Sequence, residues 1–248
     1  MIALIESSIT IFNKYWPSFL YGLQYTLLIS FVGTGVGLII GLLIGGFRAI
    51  KIENSDSLIQ RVSKKIFFVL SSIYIEVFRG TPMMVQAVFI YHALRTTLNW
   101  TPLIAGMFII SINTGAYMSE IVRAGIQAVD SGQSEAARSL GMSSSQTMLL
   151  VVIPQAIKNT FPSIGNELIV NIKDSSVLNV ISVTELFFQS NSIAGTVFKY
   201  KETFLVTAII YLILTIICSR ILGYIEQKMN QTKSSYPSSD TSIANQGL

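Results

Sequence analysis

Long apolar runs alternate with short polar segments that carry most of the charge. The runs lie at about 19–47, 66–94, 102–123, 146–172 and 202–225. A helix needs roughly 20 apolar residues to cross a hydrocarbon core of about 30 Å. The pattern therefore predicts an all-α integral membrane protein with about five transmembrane helices. The first and last runs are clean, whereas the three middle ones are interrupted by polar residues. Residues 1–18 read as an extracytoplasmic segment, 19–225 as the membrane domain and 226–248 as a cytoplasmic tail. From about Thr232 that tail is rich in Ser, Asn and Thr and lacks the apolar content needed to fold.

Composition agrees. The 248 residues are 51% hydrophobic and 12% charged, about half the charge of a soluble domain. The net charge of +4 is unevenly placed. Arg48, Lys51, Arg61, Lys64 and Lys65 follow the first run, Arg123 and Arg138 follow the third, and Arg220, Lys228 and Lys233 follow the last. Lys14, Arg95, Lys199 and Lys201 fall on the other side. The positive-inside rule then sets the N-terminus outside and the C-terminus in the cytoplasm. The basic balance is a topology signal and gives no reason to expect nucleic acid as a partner. Cys218 is the only cysteine and His92 the only histidine, which excludes an intramolecular disulfide, a thiolate metal cluster and a His-rich metal site. A His-based catalytic triad finds no partners at usable spacing around His92. No catalytic residue and no cofactor is expected in this chain.

Within the runs the polar positions are patterned. Gly33, Gly37, Gly41 and Gly45 recur every four residues on one face of the first helix. They form a groove for a second helix backbone, in this chain or in another copy. Residues 48–65 read as a cytoplasmic loop with Asn54, Ser55, Asp56 and Ser57 at its centre. In the second run Glu76 and Arg79, three apart, can pair on one face. Gly80 and Pro82 then weaken the helix, giving either a broken helix beside a cavity or a loop between two segments. These four are candidate gating or structural residues. In the third run Asn113, Tyr117 and Glu120 form a polar stripe, which belongs against protein or water rather than lipid.

The polar stretch 125–146 holds a helix of its own, near 131–141. Asp130 or Ser131 caps it, Ser134 to Leu140 propagates it, and Gly141 ends it in a left-handed turn. Ser143 and Gln146 then fit a capping box for the next helix. The fourth run is interrupted by Pro154, Lys158 and Pro162, and farther on Glu167, Asn171 and Asp174 share a face. Thr184 to Phe188 reads as a short helix near the outer surface.

The cytoplasmic segment resembles the EAA motif of binding-protein-dependent ABC importer permeases. That motif reads E-A-A, three residues, G, nine residues, I-x-L-P. Glu135, Ala136, Ala137, Gly141 and Val151 to Pro154 keep this spacing, with Val151 and Ile153 as mild replacements. Glu76 to Gln86 (EVFRGTPMMVQ), Gly115 to Ile126 (GAYMSEIVRAGI), Pro154-Gln155-Ala156, Asn166-Glu167 and Lys173 to Ser176 (KDSS) are similar to the polar amino acid permeases. The resemblance runs from about 19 to 225 and implies the type I ABC importer permease fold.

It further implies a permease paired with an identical or related second permease. Two ABC ATPase subunits would bind ATP and Mg on the cytoplasmic side. A separate extracytoplasmic binding protein would deliver glutamine, glutamate, a basic amino acid or cystine. Glu135, Ala136, Ala137, Leu140 and Gly141 would then form the coupling helix that meets the ATPase. Asn113, Tyr117, Glu120, Glu167 and Asn171 are the candidate substrate pathway, since acids and amides at membrane depth suit a zwitterion. An ion-coupled secondary amino acid transporter is the other reading, since it shares polar stripes and broken helices.

Overall fold

A computed structural model describes residues 2–50 and 57–231 of the chain. Lys51, Asn54, Ser55 and Asp56 of the expected loop, and Lys233 with the tail from Thr232, lie outside the described residues. The described chain is helical throughout. In order it contains α1 (Ile2–Ala49), α2 (Leu58–Gly80), α3 (Met83–Leu98), α4 (Pro102–Gln127), α5 (Ser131–Ser139) and α6 (Ser144–Thr147). A π-helical turn (Met148–Val152), α7 (Ile153–Asp174), a 3-10 segment (Ser175–Ile181), α8 (Leu186–Val197) and α9 (Tyr200–Gln231) follow. Among the described residues, α1, α4 and α9 are each long and apolar enough to cross a membrane, and α2 with α3 qualify together as a pair bent by 113°.

Three boundaries depart from the sequence reading. Residues 2–18 are helical and lead into the rest of α1 across a kink at Tyr15 (φ −115°, ψ 15°). Pro17 explains the kink, because it lacks an N–H and its ring crowds the carbonyl one turn back. The loop expected over 48–65 ends early. Ser57 and Gln60 form a capping box that starts α2, so Arg61, Lys64 and Lys65 lie on a helix. At the other end α9 continues to Gln231, taking in the first residues of the expected tail.

The glycine groove of α1 is filled by α4 of the same chain. A Cβ on Gly33 would meet Ile110, on Gly37 Thr114, on Gly41 Met118 and on Gly45 Val122. Each glycine meets the residue 77 positions later, so α1 and α4 run parallel. Gly115 of α4 reciprocates against Ile40 of α1. Small residues in register bring the backbones together, and close van der Waals packing is what associates helices where no water remains to be expelled.

The other helices take their directions from similar contacts. On α2, Ser71 and Ser72 accept hydrogen bonds from Arg48, and the Tyr74 hydroxyl donates to the Ile112 carbonyl. Farther along, Tyr91 of α3 packs with Ile110 and Leu178. The bent pair α2–α3 thus packs on the middle and N-terminal part of α4. α7 also runs antiparallel to α4: Gly125 faces Ala156 and Thr160, Thr114 bonds Asn171, and Gly106 faces Leu178. α9 descends beside α7, with Leu222 against Gly165. Pro154 is accommodated by the π turn, in which the Ile153 N–H reaches back five residues to the Met148 carbonyl. A wider turn of this kind absorbs a proline without ending the helical path.

The start of α8 is held by a buried carboxylate. Glu185 accepts from the Phe187 N–H (2.7 Å), the Phe188 N–H (2.8 Å) and the Tyr211 hydroxyl (3.1 Å). Thr26 of α1 accepts the neighbouring Leu186 N–H at 3.1 Å. These bonds tie α1, α8 and α9 together at one end of the bundle.

Candidate functional site

The segment between α4 and α7 has the geometry of a presented contact. The Asp130 side chain accepts from Gly132 N–H at 2.8 Å and opens α5. α5 ends in a Schellman turn: Gly141 N–H bonds the Arg138 carbonyl (2.9 Å), and Met142 N–H bonds the Ala137 carbonyl (3.2 Å). Gly141 sits at φ +84° with nothing within 4 Å of a would-be Cβ. Its role is therefore conformational, since a left-handed residue there suits glycine. Ala137 is buried and seats α5 on the bundle, whereas Glu135 and Ala136 are exposed. Leu140 is 84% exposed, an apolar side chain held outward by the turn. Ser143 and Gln146 form the expected capping box for α6.

The second cluster lies at the elbow between α2 and α3. The Glu76–Arg79 ion pair expected from spacing does not form among the described residues. Both side chains are exposed, and the Arg79 guanidinium lies 5.4 Å from the centre of the Tyr117 ring. Gly80 ends α2, and Pro82 stands as the N-cap of α3. The carbonyls of Val77, Phe78 and Thr81 at the break accept hydrogen bonds from side chains. The Thr81 hydroxyl donates to the Val77 carbonyl at 2.8 Å. Gln86 Nε2 donates to the carbonyls of Phe78 and Thr81 (both 3.0 Å) and to the Thr81 hydroxyl (2.8 Å). Asn113 Nδ2 donates to the Phe78 carbonyl (3.2 Å) and to Gln86 Oε1 (2.9 Å).

The polar stripe of α4 is thus half-buried and faces α2 and α3. Its third member, Glu120, bonds Arg123 at 2.6 Å and lies 3.8 Å from Arg48. Arg123 also donates to Gln127 (2.9 Å), and Arg48 lies over the Phe68 ring (4.7 Å). Glu120 is therefore held in a charge cluster joining α1, α2 and α4.

On α7 the predicted residues divide. Asn171 is buried and both ends of its amide are taken: Nδ2 donates to Thr34 (2.8 Å) and Oδ1 accepts from Thr114 (3.0 Å). It clasps α1, α4 and α7. Glu167 is half-buried and makes no hydrogen bond or ion pair among the described residues. Arg79 and Asp174 lie within electrostatic reach of it. The structure brings Arg79 and Tyr117 together beside the elbow and leaves Glu120 and Asn171 in contacts with the protein itself.

Sequence reasoning assigned no task to Gln86, Arg48, Thr34, Thr114 or Glu185. Gln86 stood in a quoted motif, but its partners lie 5, 8 and 27 residues away. Only the 113° bend brings them together.

The family described as "Binding-protein-dependent transport system inner membrane component" matches residues 41–231. The glutamine transport system permease protein GlnP of Escherichia coli (strain K12) is 37% identical over 222 residues, covering 86% of this chain and 95% of that protein. The arginine transport system permease protein ArtQ of Bacillus subtilis (strain 168) is 33% identical over 219 residues, covering 86% and 93%. A crystal structure of an amino acid ABC transporter with histidines superposes with a TM-score of 0.75 at 40% identity, over 87% of this chain and 96% of that one. An inward-facing structure of the MetNI methionine ABC transporter has a TM-score of 0.73 at 19% identity, over 88% and 98%, and supports the fold alone.

Proposed function

Because the chain belongs to the family of binding-protein-dependent transport system inner membrane components, we propose that it is the membrane-spanning subunit of an ATP-driven importer for a polar or charged amino acid. The observation that carries this reading is the short helix α5, with its outward Leu140 and its Gly141 turn. The ATPase binds there, with ATP and Mg held by that partner. A second permease, identical or related, completes the pathway, and an extracytoplasmic binding protein supplies substrate. Glutamine and arginine head the candidate substrates, because relatives over 30% identical are named for them.

The helix directions support five crossings. α1, α4 and α9 run one way, and α2–α3 and α7 return. α7 is too polar to qualify on its own composition, yet it lies along α4 from Gly125 to Gly106 through its own residues and the 3-10 segment. An odd number of crossings places the termini on opposite sides, and the basic residues near Arg48, Arg123 and Arg220 place α5 in the cytoplasm.

Substrate passes beside Arg79, Tyr117 and Glu167. Asn113 and Asn171 spend their amides on the protein, and Glu120 is occupied by two arginines. Glu167 is free to meet the ammonium of an amino acid. Glu167→Gln is expected to raise the half-saturating substrate concentration for uptake about tenfold, the loss of one charge-assisted bond of about 1.5 kcal/mol. Unchanged uptake kinetics would remove Glu167 from the pathway.

The ion-coupled alternative needs carbonyls at a broken helix to be open to a cation. Here the carbonyls of Val77, Phe78 and Thr81 accept hydrogen bonds from side chains, so these three are not open to a cation. The deciding experiment is gentle purification of the tagged protein from its own membranes. An ATP-hydrolysing subunit recovered in about equal amount establishes the importer. Its absence from an intact, monodisperse preparation overturns that reading.

A further inference from the structure

The α2–α3 break is held largely by its own residues, and α4 supplies the partner of one buried acceptor, Gln86 Oε1. The Val77 carbonyl is covered by Thr81, and those of Phe78 and Thr81 by Gln86, from the linker and from α3. Buried carbonyls need one partner each, so this set meets the requirement. Asn113 adds a second donor to the already satisfied Phe78 carbonyl and a bond to Gln86 Oε1. Those two bonds attach the break to α4, and one of them gives Gln86 Oε1 its partner. Gln86 is 7% exposed, so water does not compete strongly for them.

α4 is one unbroken helix from Pro102 to Gln127, and α5 begins at Ser131. From Asn113 to Gln127 the helix rises about 21 Å. Along that stretch Tyr117 faces Arg79, and Glu120 and Arg123 join Arg48. A packed helix moves as a rigid element, so displacement of one end is delivered at the other. Arg79 is the last-but-one residue of α2, immediately after the carbonyl that Asn113 holds.

We propose that the Asn113–Gln86 pair is a positioning device that carries displacement of α5, through α4, to the α2–α3 elbow, and so sets where Arg79 stands relative to Glu167. The proposal rests on the reading of α5 as the ATPase contact. It assigns Asn113 and Gln86 to coupling rather than to contact with substrate.

The test uses the whole complex with its co-purified ATPase, reconstituted in liposomes with the binding protein, and radiolabelled glutamine and arginine in parallel. The readout is substrate accumulated per ATP hydrolysed. Asn113→Leu is expected to lower that ratio about tenfold, the effect of losing one or two buried hydrogen bonds. Bound ATPase stays as in the parent, and the ratio is taken per folded complex, so a lower melting temperature does not enter it. Gln86→Glu retains the acceptor for Asn113 but loses the amide donors, and lowers the ratio as well. Asn113→Leu with Gln86→Leu together are no worse than the more severe single change, because both remove one link. Exchanging the lengths, Asn113→Gln with Gln86→Asn, recovers part of the ratio.

Two results would overturn the proposal. One is an unchanged ratio in Asn113→Leu with ATPase bound. The other is uptake and hydrolysis falling together in proportion to lost folded protein, which would mark the pair as structural only. Absence of any ATPase from the parent complex would overturn the reading of α5 as well.

Discussion

Gly41→Leu is expected to reduce the folded protein recovered from membranes more than tenfold. A Cβ at Gly41 would stand 2.7 Å from the backbone carbon of Met118 and also press on the Met118 side chain. A clash with backbone cannot be relieved by rotating a side chain, so α1 would have to move off α4. Overpacking of a close contact costs typically 1–3 kcal/mol, and a backbone clash lies at or above the top of that range. Separating the helices would also pull Thr34 from Asn171 and Arg48 from its serine contacts. Gly35→Leu is the control. Gly35 lies on the same helix, is exposed, and has nothing within 4 Å of a would-be Cβ. Size-exclusion profiles of the two variants in mild detergent measure the difference. A normal monodisperse peak for Gly41→Leu would refute the packing account of the groove.

The second large effect belongs to the α5 turn. Gly141→Val is expected to cut uptake more than tenfold while the protein still inserts and melts normally. The position is open, so the effect is not steric contact with neighbours. It comes from φ +84°, a left-handed conformation that costs an ordinary residue about 1–2 kcal/mol and a β-branched one more. Relaxing that strain breaks the bonds from Gly141 to Arg138 and from Met142 to Ala137. Leu140 would then no longer be presented where it is now 84% exposed. Gly141→Asn, which tolerates the left-handed region, should retain most activity. Leu140→Asp should lose ATPase from the purified complex with the turn intact. ATPase binding and uptake, measured on the same preparations, separate the turn from the side chain. Full uptake by Gly141→Val would remove the turn from the coupling role.

Periodic and local signals were legible in the amino-acid sequence. The glycine row every four residues announced a helix–helix groove, and the structure adds that its partner is α4. The caps at Asp130 and Ser143 and the glycine at 141 could be read because each acts within a few residues of chain. The break at Gly80 and Pro82 was legible as a weakness, whereas its angle was not, because Gln86 and Asn113 set it from other elements. Pairing by spacing did not hold at Glu76 and Arg79, whose guanidinium lies over the Tyr117 ring instead. At the same spacing on α4, Glu120 does pair with Arg123. The three-helix clasp of Asn171 joins residues 57 and 137 positions away, which no local rule connects. Glu185 is buried as a cap in a segment that read only as a short helix, because its Tyr211 partner lies on α9.

The constant offset between α1 and α4 also governs biogenesis. Each glycine of α1 meets a residue made 77 positions later. Ribosomes add about 5–20 residues per second, so α1 waits roughly 4–15 s in the bilayer with its small-residue face uncovered. Two intervening helices enter before its partner exists. A nascent chain arrested before Pro102 therefore holds the glycine face of α1 without α4, and the α1–α4 core forms only once α4 has been made.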